Sequence, residues 1–420
     1  MWPLAETKPK HLLPIAGKPI LGRILGSLAE AGLRDVVIVV GFQEEAIRHS
    51  IGDGSAYNLR VEYVRQPART GTASALQVAY DAIGRERFLA IYGDLVIAAG
   101  AVRDLLEKAE DWPRVMGIVR MEDVSQYGLI RLDGDSVVKI DEKPAAMIGK
   151  PGWVNTGMYV LDEDVFHAVE ETSRSKRAEV ELTSSLQLLI RKGKGVKAAF
   201  INESSWMDIG RPWDLLIANE RVLDDLNHRV AGTVETGALL KGSVFVEEGA
   251  LIRSGSYVEG PVYCGRGSKI GPNARIRPYT SLESDVVVGA SCDIKNSIVM
   301  STTKIPHLSY VGDSIIGEDC NLGAGTITAN VRFDKRTVRM RIKGRLHDSG
   351  RVKLGAIVGD RVQTGINVTL LPGIRIGSGS WVAPGAIVSH DIRSRTLVLV
   401  KQTQISKDIT GVLRKAKRHV

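Results

Sequence analysis

The chain has 420 residues, 44% of them hydrophobic and 25% charged, and a formal net charge of +8. This length exceeds what one hydrophobic core usually supports, so we expect at least two domains. No apolar run is as long as a transmembrane helix and the N-terminus lacks a secretory hydrophobic region, so we expect a cytoplasmic protein with no membrane partner.

The charge is unevenly distributed along the chain. Residues 1–230 have a net charge of −4, and the remainder has +12. A basic C-terminal half indicates an anionic partner. Because aromatic residues make up only 5% of the chain and no nucleic-acid-binding motif accompanies the basic residues, we expect a phosphorylated small molecule rather than nucleic acid.

The cysteines and histidines do not predict a zinc site. Cys264, Cys292 and Cys320 form no C-x-x-C pair, and the histidines show neither H-x-x-x-H nor H-E-x-x-H spacing. The cysteines are expected to be buried thiols of a reducing compartment.

The first half of the chain alternates between short β-branched runs and helical patterns. Such alternation predicts an α/β domain, Rossmann-like, with a mostly parallel sheet covered by helices. In chain order, the pattern predicts a helix at 19–31 closed by Gly32, strands at 35–41 and 59–65, a helix at 72–83 closed by Gly84, and a strand at 88–92.

Two aspartates follow predicted strands. Asp94 comes directly after the strand at 88–92, and Asp208 lies in the segment Trp206-Met207-Asp208-Ile209-Gly210. Ligands of α/β sheets bind at the carboxyl ends of strands. Two carboxylates together with phosphate oxygens would suit Mg²⁺, although a single aspartate after a strand is more often a turn residue or a helix cap.

From Leu240 onward the chain repeats an apolar residue at every sixth position, which predicts a parallel β-helix of hexapeptide repeats. We count 21 such positions, or seven coils of three strands. They are Leu240, Val246, Ile252, Val258, Cys264, Ile270, Ile276, Leu282, Val288, Ile294, Tyr310, Ile316, Leu322, Thr328, Val352, Val358, Thr364, Leu370, Ile376, Val382 and Val388.

Two segments break this repeat, one at 294–310 and one at 329–351. Chemistry on a rigid solenoid is expected in such interruptions. The first contains His307, whose side-chain type suits a general base at neutral pH. The repeat divides the chain into an α/β domain at 1–230, a β-helix at 238–392 and a basic tail at 393–420, with the first domain projecting from one end of the β-helix.

Several motifs in chain order then carry a family resemblance. They are the opening segment 2–19, Gln66-Pro67, Gly71-Thr72-Ala73, Tyr92-Gly93-Asp94, Tyr127-Gly128, Glu142-Lys143-Pro144 and Asn155-Thr156-Gly157. Together they resemble the sugar-1-phosphate nucleotidylyltransferases. With the left-handed β-helix attached, the chain resembles the archaeal type of the bifunctional N-acetylglucosamine-1-phosphate uridylyltransferase and glucosamine-1-phosphate N-acetyltransferase family.

The resemblance implies roles for residues of the first domain. Lys10 would be a catalytic residue that neutralises the phosphates of UTP, and Gln66, Gly71 and Thr72 would bind the nucleotide. Asp94 and Asp208 would hold Mg²⁺. The sugar phosphate would be bound by Gly128, Glu142, Lys143 and Asn155.

The resemblance also implies an acetyltransfer site in the β-helix. His307 would be the catalytic base, and Ala324 and Ala383 would line the acetyl-CoA cleft. Tyr310, Asn321 and Asn330 would orient the amino sugar. Arg336 and Arg339 stand where the archaeal pattern has lysines and would hold its phosphate. Related acyltransferases assemble as homotrimers with active sites between subunits, so a homotrimer is expected.

One departure from the family leaves the uridylyl transfer open. The family has a strand and a G-x-G-x-R loop just before the position of Trp2, and the sequence contains neither. Either the start was assigned to an internal methionine, which we expect, or the protein is shortened and lacks nucleotidyl transfer. Two other functions stay open: a glucose-1-phosphate thymidylyltransferase that uses dTTP, and a non-catalytic regulatory subunit with the same two domains.

Overall fold

The computed structural model describes residues 1–68, 70–124, 127–142, 149–175, 178–342 and 344–409. The N-terminal part contains the helices α1 Ile20–Glu30, α2 Glu44–Ile51, α3 Thr72–Gln77, α4 Tyr80–Ile83, α5 Ala99–Asp111, α6 Asp164–Glu171, α7 Leu182–Arg191 and α8 Pro212–Asp224. Its strands are β1 Pro14–Ile15, β2 Lys18–Pro19, β3 Asp35–Val40, β4 Arg60–Arg65, β5 Phe88–Ile91, β6 Leu95–Ile97, β7 Val115–Met121, β8 Gly128–Asp133, β9 Ser136–Glu142, β10 Gly152–Leu161, β11 Lys197–Phe200 and β12 Trp206–Asp208.

Four of the five predicted elements are confirmed, and the fifth is divided. The strands at 35–41, 59–65 and 88–92 correspond to β3, β4 and β5, and the helix at 19–31 corresponds to α1. The apolar face of α1 is buried, and Gly32 follows it with φ +96°, a conformation that favours glycine. The predicted helix at 72–83 is wrong as one element, because Val78 and Ala79 separate α3 from α4.

The prediction of a mostly parallel sheet is also wrong. In the described residues, the main sheet has the order β5-β10-β7-β11-β9-β8, and β11–β7 is its parallel pair. Strands β8 and β9 form a hairpin through Gly134 (φ +59°), so no crossover helix separates them. Strands β3 and β4 form a separate parallel pair.

A short ribbon brings the two predicted aspartates together. Strand β6 begins at the residue after Asp94, and β12 ends at Asp208. The two strands pair antiparallel with Asp208 opposite Leu95, and the backbone N–H of Ile209 donates to the carbonyl oxygen of Asp94 at 2.9 Å. The ribbon therefore holds both carboxylates at one end of the domain.

The C-terminal part is a parallel β-helix with three faces. Face 1 consists of β13 Arg229–Val230, β16 Val244–Val246, β19 Val262–Cys264, β22 Thr280–Leu282, β25 Ile298–Val299, β28 Ile315–Ile316, β33 Ile357–Val358 and β36 Arg375–Ile376. Face 2 consists of β14 Thr233–Val234, β17 Leu251–Ile252, β20 Lys269–Ile270, β23 Val287–Ala290, β26 Lys304–His307, β29 Asn321–Leu322, β34 Gln363–Thr364, β37 Trp381–Val382 and β39 Leu397–Val398. Face 3 consists of β15 Leu239–Lys241, β18 Tyr257–Glu259, β21 Arg275–Ile276, β24 Asp293–Lys295, β27 Tyr310–Gly312, β30 Ile327–Thr328, β35 Thr369–Leu370 and β38 Ile387–Val388.

The predicted interruption at 294–310 is wrong, because the segment forms part of a regular coil. Val299, Ile305 and Val311 continue the buried ladder after Ile294. The step from Ile294 to Val299 spans five residues instead of six. The step from Val311 to Ile316 also spans five residues, so a hexad count back from Ile316 falls on Tyr310 although Val311 occupies the core. Together the two short steps conceal the coil from a strict hexad count.

The β-helix is also longer than the seven predicted coils. Eight strands or more stack on each face in the described part of the chain. Val234 of β14 lies six residues before Leu240 and extends the same ladder by one hexad. Val230 of β13 is out of this register because it precedes Val234 by only four residues, and β39 lies beyond the last predicted hexad at Val388.

The second interruption is confirmed as an excursion from the coil. After Thr328 the chain leaves the β-helix, forms the hairpin β31 Arg339–Ile342 and β32 Arg345–Asp348, and returns at β33. Val352, which the hexad count assigned to the core, lies in this excursion with 46% of its surface exposed. We call residues 329–356 the excursion.

The two parts of the chain pack side by side, and the prediction that the first projects from one end is wrong. Leu4, Leu13 and Ile15 of the N-terminal segment and Trp213 of α8 share a buried cluster with face 1 residues such as Ile315. Val338 and Met340 of the excursion join the same cluster. The apolar contact therefore fixes the N-terminal segment and α8 along the length of face 1.

Candidate functional site

The first candidate site, which we call the Asp94 site, consists of Lys10, Asp94 and Asp208. Lys10 begins a short 3₁₀ turn, and its Nζ forms an ion pair with Oδ2 of Asp94. The side chains of Lys10 and Asp94 are partly accessible, so they can reach a bound ligand. All three residues that the sequence places in this site are therefore close together.

The electrostatics of the Asp94 site fit a cation. Burial, and then the nearby charge of Asp94, raise the pKa of Asp208 to about 6. Two neighbouring carboxylates can accept a divalent ion together with phosphate oxygens. The described residues contain no cluster of three or more metal-ligating side chains, so the protein itself would supply few ligands, as is usual for Mg²⁺.

His11 is a neighbour of this site that the sequence did not single out. Its ring lies against Gly93, where any side chain would place its Cβ 3.1 Å from the His11 ring. Burial and the adjacent Lys10 lower the pKa of His11. His11 belongs to the opening motif of the sequence. The burial of its ring depends on the packing of Gly93 against that ring, which the motif alone does not show.

The predicted nucleotide-binding residues lie in the loop that leads from β4 to the start of α3. The side-chain amide of Gln66 donates to the carbonyl oxygen of Gly71 at 3.2 Å. Gly71 has φ +117°, and a side chain there would place its Cβ 2.3 Å from the carbonyl oxygen of Val180. Thr72 Oγ1 accepts a hydrogen bond from the backbone of Leu182 at 3.0 Å. The loop therefore requires glycine at position 71.

Three of the predicted sugar-phosphate residues lie on the strands β8, β9 and β10. Gly128 pairs with Glu142 across β8 and β9. The Asn155 amide donates to the hydroxyl of Tyr159 at 2.6 Å, and that hydroxyl donates to Tyr92 at 3.3 Å. The sequence motifs do not include Tyr159, and only its contact with Asn155 identifies it. Lys143, the remaining predicted residue, lies outside the described residues.

The second candidate site begins at the corner between faces 2 and 3 of the β-helix. His307 ends β26 and is exposed at this corner. The carbonyl oxygen of His307 accepts from the N–H of Gly325 at 3.4 Å, and that of Ala324 accepts from Asn367 at 2.8 Å. Ala383 follows β37 at the same corner, one coil further on. Because neighbouring strands lie about 4.8 Å apart, His307 and Ala383 are separated by roughly 14 Å along a single edge.

The structure brings Tyr310 and Asn330 together on face 3. The Asn330 amide contacts the Tyr310 hydroxyl at 3.2 Å and donates to Oδ2 of Asp313 at 2.5 Å. Burial raises the pKa of Tyr310, so its hydroxyl stays protonated at neutral pH. We call Tyr310, Asp313 and Asn330 the Asn330 site.

A cavity of about 620 Å³ opens next to the Asn330 site. Five cationic and three acidic residues line it. The cations are Arg275, Arg277, Lys295, Arg351 and Lys353, and the acids are Glu220, Glu259 and Asp313. Lys295 Nζ lies 3.3 Å from Oδ2 of the buried Asp313, and Arg351 Nη2 lies 2.7 Å from Oε1 of Glu220 on α8.

The sequence motifs include none of Arg275, Arg277, Lys295 and Arg351. Arg275, Arg277 and Lys295 flank ladder positions and therefore point outward from consecutive coils of face 3, a stacking that the hexad register could have revealed. Arg351 reaches the cavity only because the excursion folds back against α8.

Three predicted residues do not join the Asn330 site within one chain. Asn321 lies on face 2, where it pairs with Lys304 and Gln363. Arg336 and Arg339 lie on the excursion and are exposed. Asn321 therefore lies on a different face of the β-helix from Tyr310.

No helix of the described residues has both the length and the apolar character needed to cross a membrane. The three cysteines are buried and unpaired, as the sequence predicts.

Comparisons with known proteins agree with the two-part architecture. A family described as "Nucleotidyl transferase" matches residues 1–225, and one described as "GMPPB C-terminal domain" matches residues 258–370. The crystal structure of a UDP-glucose pyrophosphorylase complexed with UDP-glucose aligns with 51% of this chain and 90% of its own, at 22% identity and a TM-score of 0.46.

Curated relatives span nearly the whole chain. The "Bifunctional protein GlmU" of Methanocaldococcus jannaschii is 38% identical over 97% of this chain and 96% of its own length. A "Bifunctional sugar-1-phosphate nucleotidylyltransferase/acetyltransferase" of Sulfurisphaera tokodaii is 39% identical over 93% of this chain and 94% of its own length. A "Glucose-1-phosphate thymidylyltransferase" of Streptomyces griseus is 33% identical over 75% of this chain and 88% of its own length.

An α/β nucleotidyltransferase domain followed by a left-handed β-helix, with full-length similarity to these bifunctional enzymes, identifies a transferase: the chain belongs to the nucleotidyl transferase family, among its bifunctional GlmU-type members.

Proposed function

We propose that this enzyme makes UDP-N-acetylglucosamine in two steps. The β-helix transfers an acetyl group from acetyl-CoA to the amine of glucosamine-1-phosphate. The α/β domain then joins the product, N-acetylglucosamine-1-phosphate, to UTP. The observation that carries the proposal is the similarity to bifunctional GlmU proteins across both parts of the chain, with the Asp94 site in one part and the Asn330 site in the other.

In the first step, the sugar amine attacks the thioester carbonyl carbon, a C–N bond forms, and the C–S bond breaks to release coenzyme A. His307 takes the proton that the amine loses, and that proton neutralises the departing thiolate. The accessible position of His307 at a corner supports this role. Acetyl-CoA would lie along the edge from His307 through Ala324 to Ala383.

The amino sugar would bind at the Asn330 site. Tyr310 and Asn330 offer hydrogen bonds to its hydroxyl groups, and the cationic cavity beside them offers partners for its phosphate. Asp313 is buried and hydrogen-bonded to Asn330 and Asn296, so it holds the Asn330 amide in place.

In the second step, a phosphate oxygen of N-acetylglucosamine-1-phosphate attacks the α-phosphorus of UTP, and the bond to the β-phosphate breaks, so that pyrophosphate leaves. Lys10 neutralises the charge that develops on the phosphates. Asp94 and Asp208 would hold Mg²⁺, which shields the triphosphate when bound. Gln66, Gly71 and Thr72 would hold the base, and Gly128, Glu142 and Asn155, together with Lys143, would hold the sugar phosphate.

We also propose that the enzyme is a homotrimer. Apolar side chains are exposed along the corner between faces 2 and 3: Leu308, Ile327, Ile366, Trp381 and Ile387. A neighbouring chain would cover them. It would also bring Asn321 of one face 2 against the Asn330 site of another chain, with Arg336 and Arg339 supplying phosphate contacts from the excursion. We propose a cytoplasmic enzyme that binds neither nucleic acid nor membrane.

Transfer of a thymidylyl group from dTTP to glucose-1-phosphate is a weaker alternative. The thymidylyltransferase relative covers 75% of the chain, whereas the bifunctional relatives cover 93% and 97%. A thymidylyltransferase also leaves the Asn330 site without a substrate.

The acetyltransferase activity is tested by incubating the purified protein with acetyl-CoA and glucosamine-1-phosphate and measuring the release of free thiol. We expect turnover that falls at least about 100-fold in His307→Ala, because a positioned base contributes about that much. His390→Ala, at an exposed histidine elsewhere on the β-helix, serves as the matched control. A folded protein that acetylates neither glucosamine- nor galactosamine-1-phosphate would refute the proposal.

A further inference from the structure

The N-terminal segment that carries Lys10 is held from outside its own domain. Leu4 and Leu13 are buried against face 1 and α8. Between these two apolar anchors, Glu6, Thr7 and Lys8 contact polar groups at the corner between faces 1 and 2 of the β-helix. Lys10, two residues after Lys8, forms the ion pair with Asp94.

Asp360 is the centre of this contact. It is buried, with 3% of its surface exposed. Its Oδ1 accepts from the backbone N–H of Glu318 at 2.8 Å, which fixes the carboxylate on the β-helix. Its Oδ2 faces the N-terminal segment, accepts from the hydroxyl of Thr7 and lies 3.1 Å from Nζ of Lys8. One carboxylate thus joins the two parts of the chain.

Two further polar contacts attach the N-terminal segment to the β-helix, and we call the contacts of Glu6, Thr7 and Lys8 together the polar anchor. Nζ of Lys8 lies 2.6 Å from Oε1 of Glu318 on the neighbouring coil. The carboxylate of Glu6 accepts from the backbone N–H of Ser378 at 3.2 Å and from the hydroxyl of Ser394. Because only 12% of the Lys8 side chain is exposed, solvent screens its ion pairs less than it screens a surface pair.

The short path from this anchor to the Asp94 site has little freedom. Pro9 alone separates Lys8 from Lys10, and its ring fixes φ at −60°. The following turn is closed by hydrogen bonds from Leu12 to Pro9 and from Leu13 to Lys10, at 3.0 and 3.1 Å. A shift of Lys8 therefore moves Lys10.

We propose that Asp360 and Glu318 of the β-helix are positioning residues for the nucleotidyl transfer: through Lys8 they hold the segment that presents Lys10 to the nucleotide phosphates. The α/β domain then depends on the β-helix for its own chemistry. The expected loss of rate rests on the proposed uridylyl transfer. The expected loosening of the segment that carries Lys10 rests only on the contacts described above.

The test compares Lys8→Met and Asp360→Asn with wild type in both reactions. Because a misplacement of about 1 Å can cost up to about 100-fold in rate, we expect kcat/KM for UTP to fall at least about tenfold. The acetyl transfer rate of the same protein should stay within about twofold, since the β-helix keeps its core. Lys8→Arg, which keeps the charge, should restore most of the uridylyl transfer.

Arg266→Met is the matched control. Arg266 is a cation on the same corner of the β-helix, paired with Glu248 at 3.3 Å, and it is largely exposed. It should leave both reactions unchanged. Uridylyl transfer within about twofold of wild type in Lys8→Met and Asp360→Asn would overturn the proposal, as would an equal loss of both activities.

Hydrogen exchange separates this inference from the proposed function. We expect the amides of Leu12 and Leu13 to exchange at least about tenfold faster in Lys8→Met than in wild type, while those of the strand Asp35–Val40 do not change. Unchanged exchange at Leu12 and Leu13 would contradict the claim that Lys8 holds this segment in place. A wild type with no uridylyl transfer would refute the proposed function and the kinetic part of this proposal, and the exchange data would still decide whether Lys8 holds the segment.

Discussion

Glu283 is a buried carboxyl at the junction of the two parts of the chain. Its side chain accepts a hydrogen bond from the backbone N–H of Gly17 at 3.2 Å. Burial raises its pKa to about 7, whereas the bond from Gly17 and the charge of Arg23 oppose the rise; the acidic neighbours Glu247 and Glu318 add to it. At pH 8 the junction therefore holds a carboxylate that is poorly compensated.

The pH dependence of this site has a definite sign. The folded-state pKa lies above the ordinary value of 4.5, so the unfolded state loses the proton first, and stability falls as the pH rises from about 4.5 to about 7. Glu283→Gln keeps an acceptor for Gly17 but cannot ionise. We expect it to stabilise the protein by about 1 to 3 kcal/mol at pH 8 and to have little effect at pH 4.5. Calorimetric melting at both pH values checks this, and an equal change at both would contradict it.

At the scale of the element, each β-helix strand depends on close backbone contact with the next coil. Gly289 in β23 shows how little space there is. A side chain at this position would place its Cβ 1.8 Å from the carbonyl oxygen of Pro306 in the next coil. The obstacle is backbone, which cannot rotate away as a flexible side chain can.

Gly289→Ala should therefore destabilise the β-helix by about 1 to 3 kcal/mol, the usual cost of overpacking a core. Gly26→Ala in α1 is the matched control, since nothing lies within 4 Å of a Cβ at that position. In that helix the change should be neutral or stabilise by up to about 1 kcal/mol. Thermal unfolding of the two variants compares them, and equal melting temperatures would argue against the close coil spacing.

The sequence predicts the β-helix from its ladder and the Asp94 site from its motifs, but two other features depend on tertiary structure. The five-residue steps before Val299 and before Ile316 break the hexad register, so a count by sixes misplaces Tyr310 and treats a regular coil as an interruption. The contact of Arg351 with Glu220 depends on how the excursion folds against α8, and no local pattern encodes it.

For the whole molecule, the apolar corner between faces 2 and 3 predicts assembly. Trp381 on face 2 and Ile387 on face 3, in consecutive strands of the chain, have 60% and 71% of their surfaces exposed. Light scattering should give a mass of three times 45.6 kDa. A double variant, Trp381→Glu with Ile387→Glu, should reduce the trimer and the acetyl transfer together while leaving the uridylyl transfer in place. A monomeric protein with full acetyltransferase activity would contradict the proposed assembly.

The central claim is that one chain carries both reactions. The most direct measurement supplies the purified protein with acetyl-CoA, glucosamine-1-phosphate, UTP and Mg²⁺ and analyses the products by mass spectrometry. We predict UDP-N-acetylglucosamine, with coenzyme A and pyrophosphate released in equal amounts, and none of this sugar nucleotide when acetyl-CoA is omitted. Release of coenzyme A without any sugar nucleotide, from a folded protein, would contradict the account.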